Sequence, residues 1–277
     1  MSPQSITLEI TGGVATLTLN RPDRLNAFTP EMLAEIEAVL DEISLPGSGV
    51  RCLLITGAGR AFCSGADLAS SAAFSASSDD GSTPGGNGST PGAKVGEMLR
   101  QVYHPLFEKL RALEMPVVSA VNGVAAGAGM SLAIAADIVI AARSAYFLQA
   151  FINIGLLPDS GSTYMLPRLL GKARATAAMM LGEKLPAETA AEWGLIYQVT
   201  DDDALMDTAV TLAKRLANGP TLALAALRGA IAQSEGNDFA AQLEVEAVLQ
   251  SRLADSADCV EGISAFLAKR PAEFKGE

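Results

Sequence analysis

Two short stretches rich in glycine and alanine, AFCSGADL at 61–68 and NGVAAGAGMSLA at 122–133, hold the groups with the clearest chemical use. Each follows an apolar, strand-like run, and the second leads straight into a helix-like run. Small residues at such bends let main-chain N–H groups come close to a ligand. At a helix start those groups are unpaired and lie at the positive end of the dipole. Two of them converging on one oxygen would make an oxyanion hole, which stabilises negative charge developing on a carbonyl. Either stretch alone also reads as a tight turn packed on a sheet, but the pair, at the ends of successive strands, points to function. His104 is the sole histidine. That excludes metal motifs built on two or three histidines and leaves a Ser-His-Asp triad a single possible base.

The elements that must position these groups follow from periodicity. ITLEITGGVATLTLN alternates apolar and polar residues about Gly12-Gly13, the mark of a β-hairpin. Thr29-Pro30-Glu31 then opens a run with Met32, Leu33, Ile36, Val39, Leu40 and Ile43 at helical spacing, and Thr29 is a good N-cap. VRCLLITG, PVVSAVNG and DIVIAA read as strands. Residues 70–93 are dominated by Ser, Gly, Asp and Pro and predict a mobile surface loop. GEMLRQVYHPLFEKLRAL reads as helix, and from Ala204 onward four helices follow: ALMDTAVTLAKRLAN, TLALAALRGAIAQSE, DFAAQLEVEAVLQSRLA and SADCVEGISAFLAKR. The pattern up to about residue 200 is strand, strand, helix repeated. We therefore expect a core over 1–200, interrupted at 70–93, and a helical region over 201–277 whose apolar stripes pack against another subunit.

Composition bounds the possibilities. A chain of 277 residues, 49% hydrophobic and 18% charged, buries a sizeable core. No apolar run approaches the roughly 20 residues that span a bilayer. The start, MSPQSITLEI, has neither a basic nor an apolar leader region, so the expected location is the cytoplasm. Cys52, Cys63 and Cys259, odd in number and far apart, read as reduced thiols. A net charge of −11 argues against nucleic acid or an anionic membrane as partner. A compact anion could still bind through a few basic groups, for which Arg21, Arg24, Lys269 and Lys275 are candidates.

With its two Gly/Ala stretches, the strands before them, the hairpin TLTLNRPDRLNAF and the C-terminal AFLAKRPAEF, the chain resembles the crotonase superfamily, the enoyl-CoA hydratases and isomerases. The likeness implies an α/β fold, a ClpP-like spiral of ββα turns followed by helices that form trimers, often paired into hexamers. It implies an acyl-CoA thioester as substrate, coenzyme A being part of that substrate, with no separate cofactor and no metal. The amides of Ala66 and Ala128 match the family's oxyanion donors. The two glutamates that activate water in family hydratases are matched by Ser131 and Phe151, neither of which can take up a proton.

Asp159, in GLLPDSGST, falls where a subset of the family has its single catalytic carboxylate, and one carboxylate suffices to move a proton between two carbons through a dienolate. Apolar neighbours Met130, Phe151, Leu156 and Leu157 would raise its pKa toward that of a useful base. From the residues alone, Asp159 also reads as a helix N-cap. NGVAAGAG, DIVIAARSA, GLLPD, EWGLI and EGISAFLAKR resemble the 1,2-epoxyphenylacetyl-CoA isomerase branch. Double-bond isomerisation of enoyl-CoA or ring-type phenylacetyl-CoA derivatives is thus the expected activity.

Three alternatives stand beside it. One is enoyl-CoA hydration. Another is chemistry like that of 4-chlorobenzoyl-CoA dehalogenases, with Asp159 as nucleophile and His104 as base, although those enzymes have a tryptophan where Phe151 stands. The last is non-catalytic acyl-CoA binding. For coenzyme A the likeness nominates Arg24, Leu25, Ala27, Ala66, Asp67 and Leu68, with Phe266 and Lys269 reaching the nucleotide end from a neighbouring subunit.

Overall fold

The computed structural model describes residues 5–68 and 90–277. Up to β10 the chain is a spiral that opens with a hairpin in a large sheet, after which successive turns lay one strand in that sheet and one in a small sheet before a helix returns the chain. The strands are β1 (Ile6–Thr11), β2 (Val14–Leu19), β3 (Cys52–Gly57), β4 (Ala61–Cys63), β5 (Val117–Val121), β6 (Val124–Ala126), β7 (Ile138–Ala142), β8 (Tyr146–Leu148), β9 (Leu185–Pro186) and β10 (Gln198–Thr200). The large sheet runs β1-β2-β3-β5-β7-β10 and the small one β4-β6-β8-β9. The β1–β2 hairpin and the β8–β9 pair are antiparallel, and every other pairing is parallel. The central strands of the large sheet are buried throughout, as continuous apolar runs such as CLLI and VVSAV require of a sheet covered on both faces.

The helices are α1 (Pro30–Ser44), α2 (Pro91–Met98), α3 (His104–Ala112), α4 (Ala128–Ile134), α5 (Ser162–Leu181), α6 (Ala187–Glu192), α7 (Leu205–Ala217), α8 (Thr221–Ser234), α9 (Phe239–Ala254) and α10 (Ala257–Ala268). In α1 all six apolar positions picked out by spacing are buried, and the Thr29 hydroxyl caps the first turn by accepting from the Met32 amide at 3.2 Å. The loop expected at 70–93 needs correction at its end. Thr90 caps α2 through the Ala93 amide at 3.1 Å, and Pro91, Gly92 and Ala93 are its first residues. Residues 70–89 lie outside the described residues. Between α2 and α3, Leu99–Tyr103 forms a π-helical turn.

The last four helices differ in what they bury. α7 sets a stripe of small residues, Ala209, Ala213 and Ala217, against β3, β5 and β7. α8 and α9 bury no residue, and α10 buries only Asp258 and Ala265. Among the described residues no helix is long and apolar enough to cross a membrane.

Candidate active site

The two Gly/Ala bends abut. β4 slips by one residue against β6 between Ala61 and Cys63, and the chain then turns at Gly65, φ 95°. β6 ends at Ala126 and turns at Gly127, φ 52° and ψ −127°. Both conformations are strained for any residue with a Cβ. A Cβ on Gly65 would also lie 2.9 Å from the Ala126 carbonyl oxygen and 3.7 Å from the Ala128 nitrogen, so the turns can meet only because it is missing. Cys63 braces the junction from below. Its sulfur accepts from the Gly65 amide at 3.4 Å, and burial pushes the thiol up to about 12, which keeps it protonated.

A parallel bridge holds Ala66 beside Phe28, the Phe28 amide donating to Gly65 O at 2.8 Å and the Asp67 amide to Phe28 O at 2.9 Å. Ala128 is the first residue of α4 and keeps a negative φ, so an alanine there carries no strain. Among the described residues, neither the Ala66 nor the Ala128 amide has a protein acceptor. Two unpaired N–H groups on touching turns can hold one oxygen between them.

Asp159 precedes α5, and the structure corrects its reading as a side-chain cap. The N-cap of α5 is Gly161, without a side-chain bond, and Asp159 serves the helix only through its carbonyl, which accepts from the Ser162 amide at 3.0 Å. Its carboxylate is half-buried and, among the described residues, takes one hydrogen bond, from Ser160 Oγ at 2.9 Å. Burial raises its pKa above the ordinary carboxylate value, against smaller lowering effects from the Ser160 hydroxyl and the His104 imidazole. Ser160 itself has φ 51°, a left-handed conformation uncommon outside glycine, next to the Asp159 carboxyl.

Of the four apolar neighbours expected, Met130 is buried and Phe151 and Leu156 are half-buried. Leu157 is 73% exposed. The Phe151 ring lies over the second bend, 3.5 Å from where a Gly127 Cβ would be. Ser131, the other position matched to a hydratase glutamate, is fully buried in α4 and bonds to the Ser162 hydroxyl at 2.6 Å. His104 is exposed at the start of α3, and no described hydrogen bond joins it to Asp159.

Sequence reading passed over Tyr103. It is buried at the end of the π-helical turn, and its hydroxyl pKa is raised by burial first and then by the charge of Asp159. A neutral phenol thus stands close to the carboxylate. The π-helical turn that presents it is a common device at functional sites, but HPL following VY gives no periodic sign of one.

The loop after β2 packs beside the first bend. Leu25 (φ 49°) and Asn26 (φ 55°) are both left-handed. Asn26, fully buried, holds the loop by donating to Ala58 O and Ala61 O at 2.9 and 2.8 Å while accepting from the Arg21 amide at 2.8 Å. Arg21 pairs with Asp67 at 2.9 Å and also donates to the Ala27 carbonyl, so its charge ties the loop to the bend. Arg24 and Leu68 are exposed and Leu25 half-buried. Phe266, 82% exposed, and Lys269 sit on and just after α10, which packs on α9. Lys275 is exposed while its amide is held by Asp258 at 2.7 Å.

A cavity of about 450 Å³ lies elsewhere, between α4, α5 and α8, with Ile134, Met165, Leu169, Leu227 and Ile231 in its walls. It includes none of Ala66, Ala128 or Asp159. Its largely apolar lining fits helix faces awaiting packing better than a site for thioester chemistry.

Residues 9–277 match the family described as enoyl-CoA hydratase/isomerase. The chain is 47% identical over 265 residues to the 1,2-epoxyphenylacetyl-CoA isomerase of Escherichia coli, covering 96% of each. It is 43% identical over 276 residues to a protein of Rhodobacter capsulatus named probable enoyl-CoA hydratase, covering all of both. A solved structure, the enoyl-CoA hydratase of Bacillus anthracis, superposes with a TM-score of 0.86 at 29% identity, covering 99% of this chain and 100% of that one. With its spiral of paired strands and its abutting bends, the chain belongs to the enoyl-CoA hydratase/isomerase family.

Proposed function

We propose that the protein is a double-bond isomerase of acyl-CoA thioesters, with Asp159 as its only acid–base group. The Ala66 and Ala128 amides hold the thioester oxygen. Asp159 removes a proton from C2 of a 3-enoyl-CoA, the electrons move into a dienolate whose charge rests on that oxygen, and the same carboxyl returns the proton at C4. Each amide is worth about 3 kcal/mol in the transition state. Coenzyme A enters as part of the substrate, with Arg24, Leu25, Ala27, Asp67 and Leu68 along its path. Phe266 and Lys269 of a neighbouring subunit lie at its nucleotide end, in a trimer or a pair of trimers in the cytoplasm. No separate cofactor takes part. Similarity to the Escherichia coli isomerase supports acyl groups with an unsaturated or epoxidised ring.

The single observation that carries this reading is the half-buried Asp159 carboxylate with raised pKa beside a site whose two hydratase positions are a buried serine and a phenylalanine. A second reading, hydration, is favoured by the hydratase name of the Rhodobacter relative. The two separate in one assay. Isomerisation of a 3-enoyl-CoA should exceed hydration of crotonyl-CoA by at least about 10²-fold, the order of what a second positioned acid–base group supplies. Comparable rates would overturn the isomerase reading, and tight binding with neither reaction would favour a non-catalytic protein.

A further inference from the structure

Behind the two bends lies a buried polar chain that the proposed chemistry does not use. Gln149 Nε2 donates to Ser162 Oγ at 2.9 Å, and Ser162 Oγ meets Ser131 Oγ at 2.6 Å. The Ser131 hydroxyl in turn lies 3.3 Å from the Gly127 carbonyl oxygen and 3.4 Å from that of Asp159. All three side chains are at most 2% exposed. Gln149 Oε1 has no partner among the described residues, so the amide's role in the chain is to give a proton. With Gln149 donating to Ser162, the chain has one consistent direction: Ser162 donates to Ser131, and the Ser131 hydrogen is shared between the two carbonyls.

The Gly127 carbonyl belongs to the same peptide group as the Ala128 N–H. It already accepts from the Ser131 amide at 3.1 Å. A hydrogen bond donated to an amide oxygen draws electron density from nitrogen and makes the N–H a stronger donor, and chains of such bonds reinforce one another in a low-dielectric interior. The other carbonyl is that of Asp159 itself. One buried hydroxyl therefore touches the peptide that carries an oxyanion donor and the backbone of the acid–base residue.

We infer that Gln149, Ser162 and Ser131 form a positioning relay that polarises the Gly127–Ala128 peptide and fixes it relative to Asp159. The inference rests on the proposed role of the Ala128 amide. It makes Ser131 a working replacement at its position, acting through the main chain and never touching the substrate.

The test is difference infrared spectroscopy of butyryl-CoA labelled with carbon-13 at the thioester carbon, a saturated ester that cannot isomerise. Bound to the unaltered protein, its carbonyl band should move to lower frequency than in water. In Ser162→Ala, and independently in Gln149→Met, the band should return part of the way with the dissociation constant unchanged. In the same variants kcat for a 3-enoyl-CoA should fall about tenfold with KM held, short of the roughly 10²–10³ that losing a donor outright costs. An unshifted band in the unaltered protein would sink the oxyanion reading itself. A shifted band that either folded variant leaves in place, with kcat intact, would overturn the relay alone.

Discussion

At the scale of single residues, Asp159 is defined by what it does not do. Among the described residues its carboxylate neither caps α5 nor pairs with a cation, and takes one hydroxyl bond while half removed from water. Because burial raises its pKa, the folded protein holds that proton more tightly than the unfolded chain does. The stability this lends is fully present below the unfolded value, about pH 4, and is lost as the pH rises through the folded pKa. Asp159→Asn, which carries no charge to desolvate, should therefore melt above the unaltered protein at about pH 7, with the gap closing as the pH falls toward about 4. Thermal melts across that range check this, and a variant that melts lower at neutral pH contradicts it. Activity runs the opposite way, since the base must be ionised, so kcat/KM should fall as the carboxyl takes up its proton. Asp159 could be singled out in the sequence only through the family likeness, because PDSGST reads equally well as a cap. Of the apolar residues expected around it, Met130 is buried, Phe151 and Leu156 are half-buried and Leu157 is exposed, because a loop residue's burial is not fixed by its hydrophobicity.

At the scale of elements, the site depends on two turns that touch. The strands ending in Gly-rich bends were plain in the sequence, since a buried parallel strand must be apolar at every position and a tight turn needs small residues. Their approach could not be read there, because it depends on the one-residue slip of β4 against β6 and on Gly65 lacking a side chain. Gly65→Ala would force a φ of 95° on an L-residue and drive its Cβ to 2.9 Å from a backbone oxygen. We expect a loss of about 1–3 kcal/mol in stability and about 10²-fold or more in kcat as the Ala66 amide swings away. Chemical denaturation and steady-state kinetics measure both, and a variant with near-normal kcat would show that the bend does not aim a donor. The opening of α2 was legible after all. Thr90-Pro91 repeats the Thr29-Pro30 signal that located α1, but its Ser/Gly-rich neighbours hid it. The Gln149–Ser162–Ser131 chain was not legible, since it joins residues 13 and 31 positions apart through their side chains alone.

At the scale of the molecule, the spiral core and the terminal helices divide the work of burial unevenly. The large sheet is buried between layers, whereas Leu227, Ile231, Phe239, Val248, Val260, Ile263, Phe266 and Leu267 of α8–α10 are all more than half exposed. We propose that helices so apolar and so bare pack against another subunit, as expected from their periodicity. The expected solution mass by light scattering is that of three or six chains. Ile231→Glu together with Leu227→Glu should shift it toward one chain and weaken coenzyme A ester binding, because Phe266 and Lys269 would no longer reach a neighbour's site. A protein that is monomeric from the outset, with full affinity, would contradict this.

The central claim is that one carboxyl removes and returns the proton. It is tested most directly by incubating a 3-enoyl-CoA with the protein in heavy water and following deuterium at C2 and C4 by NMR, for the unaltered chain and for Asp159→Asn. Exchange and isomerisation are expected in the first. In the second, losses of about 10²-fold or more in both are expected, with the dissociation constant for the ester nearly unchanged. A variant that exchanges and isomerises at close to the normal rate would contradict the claim.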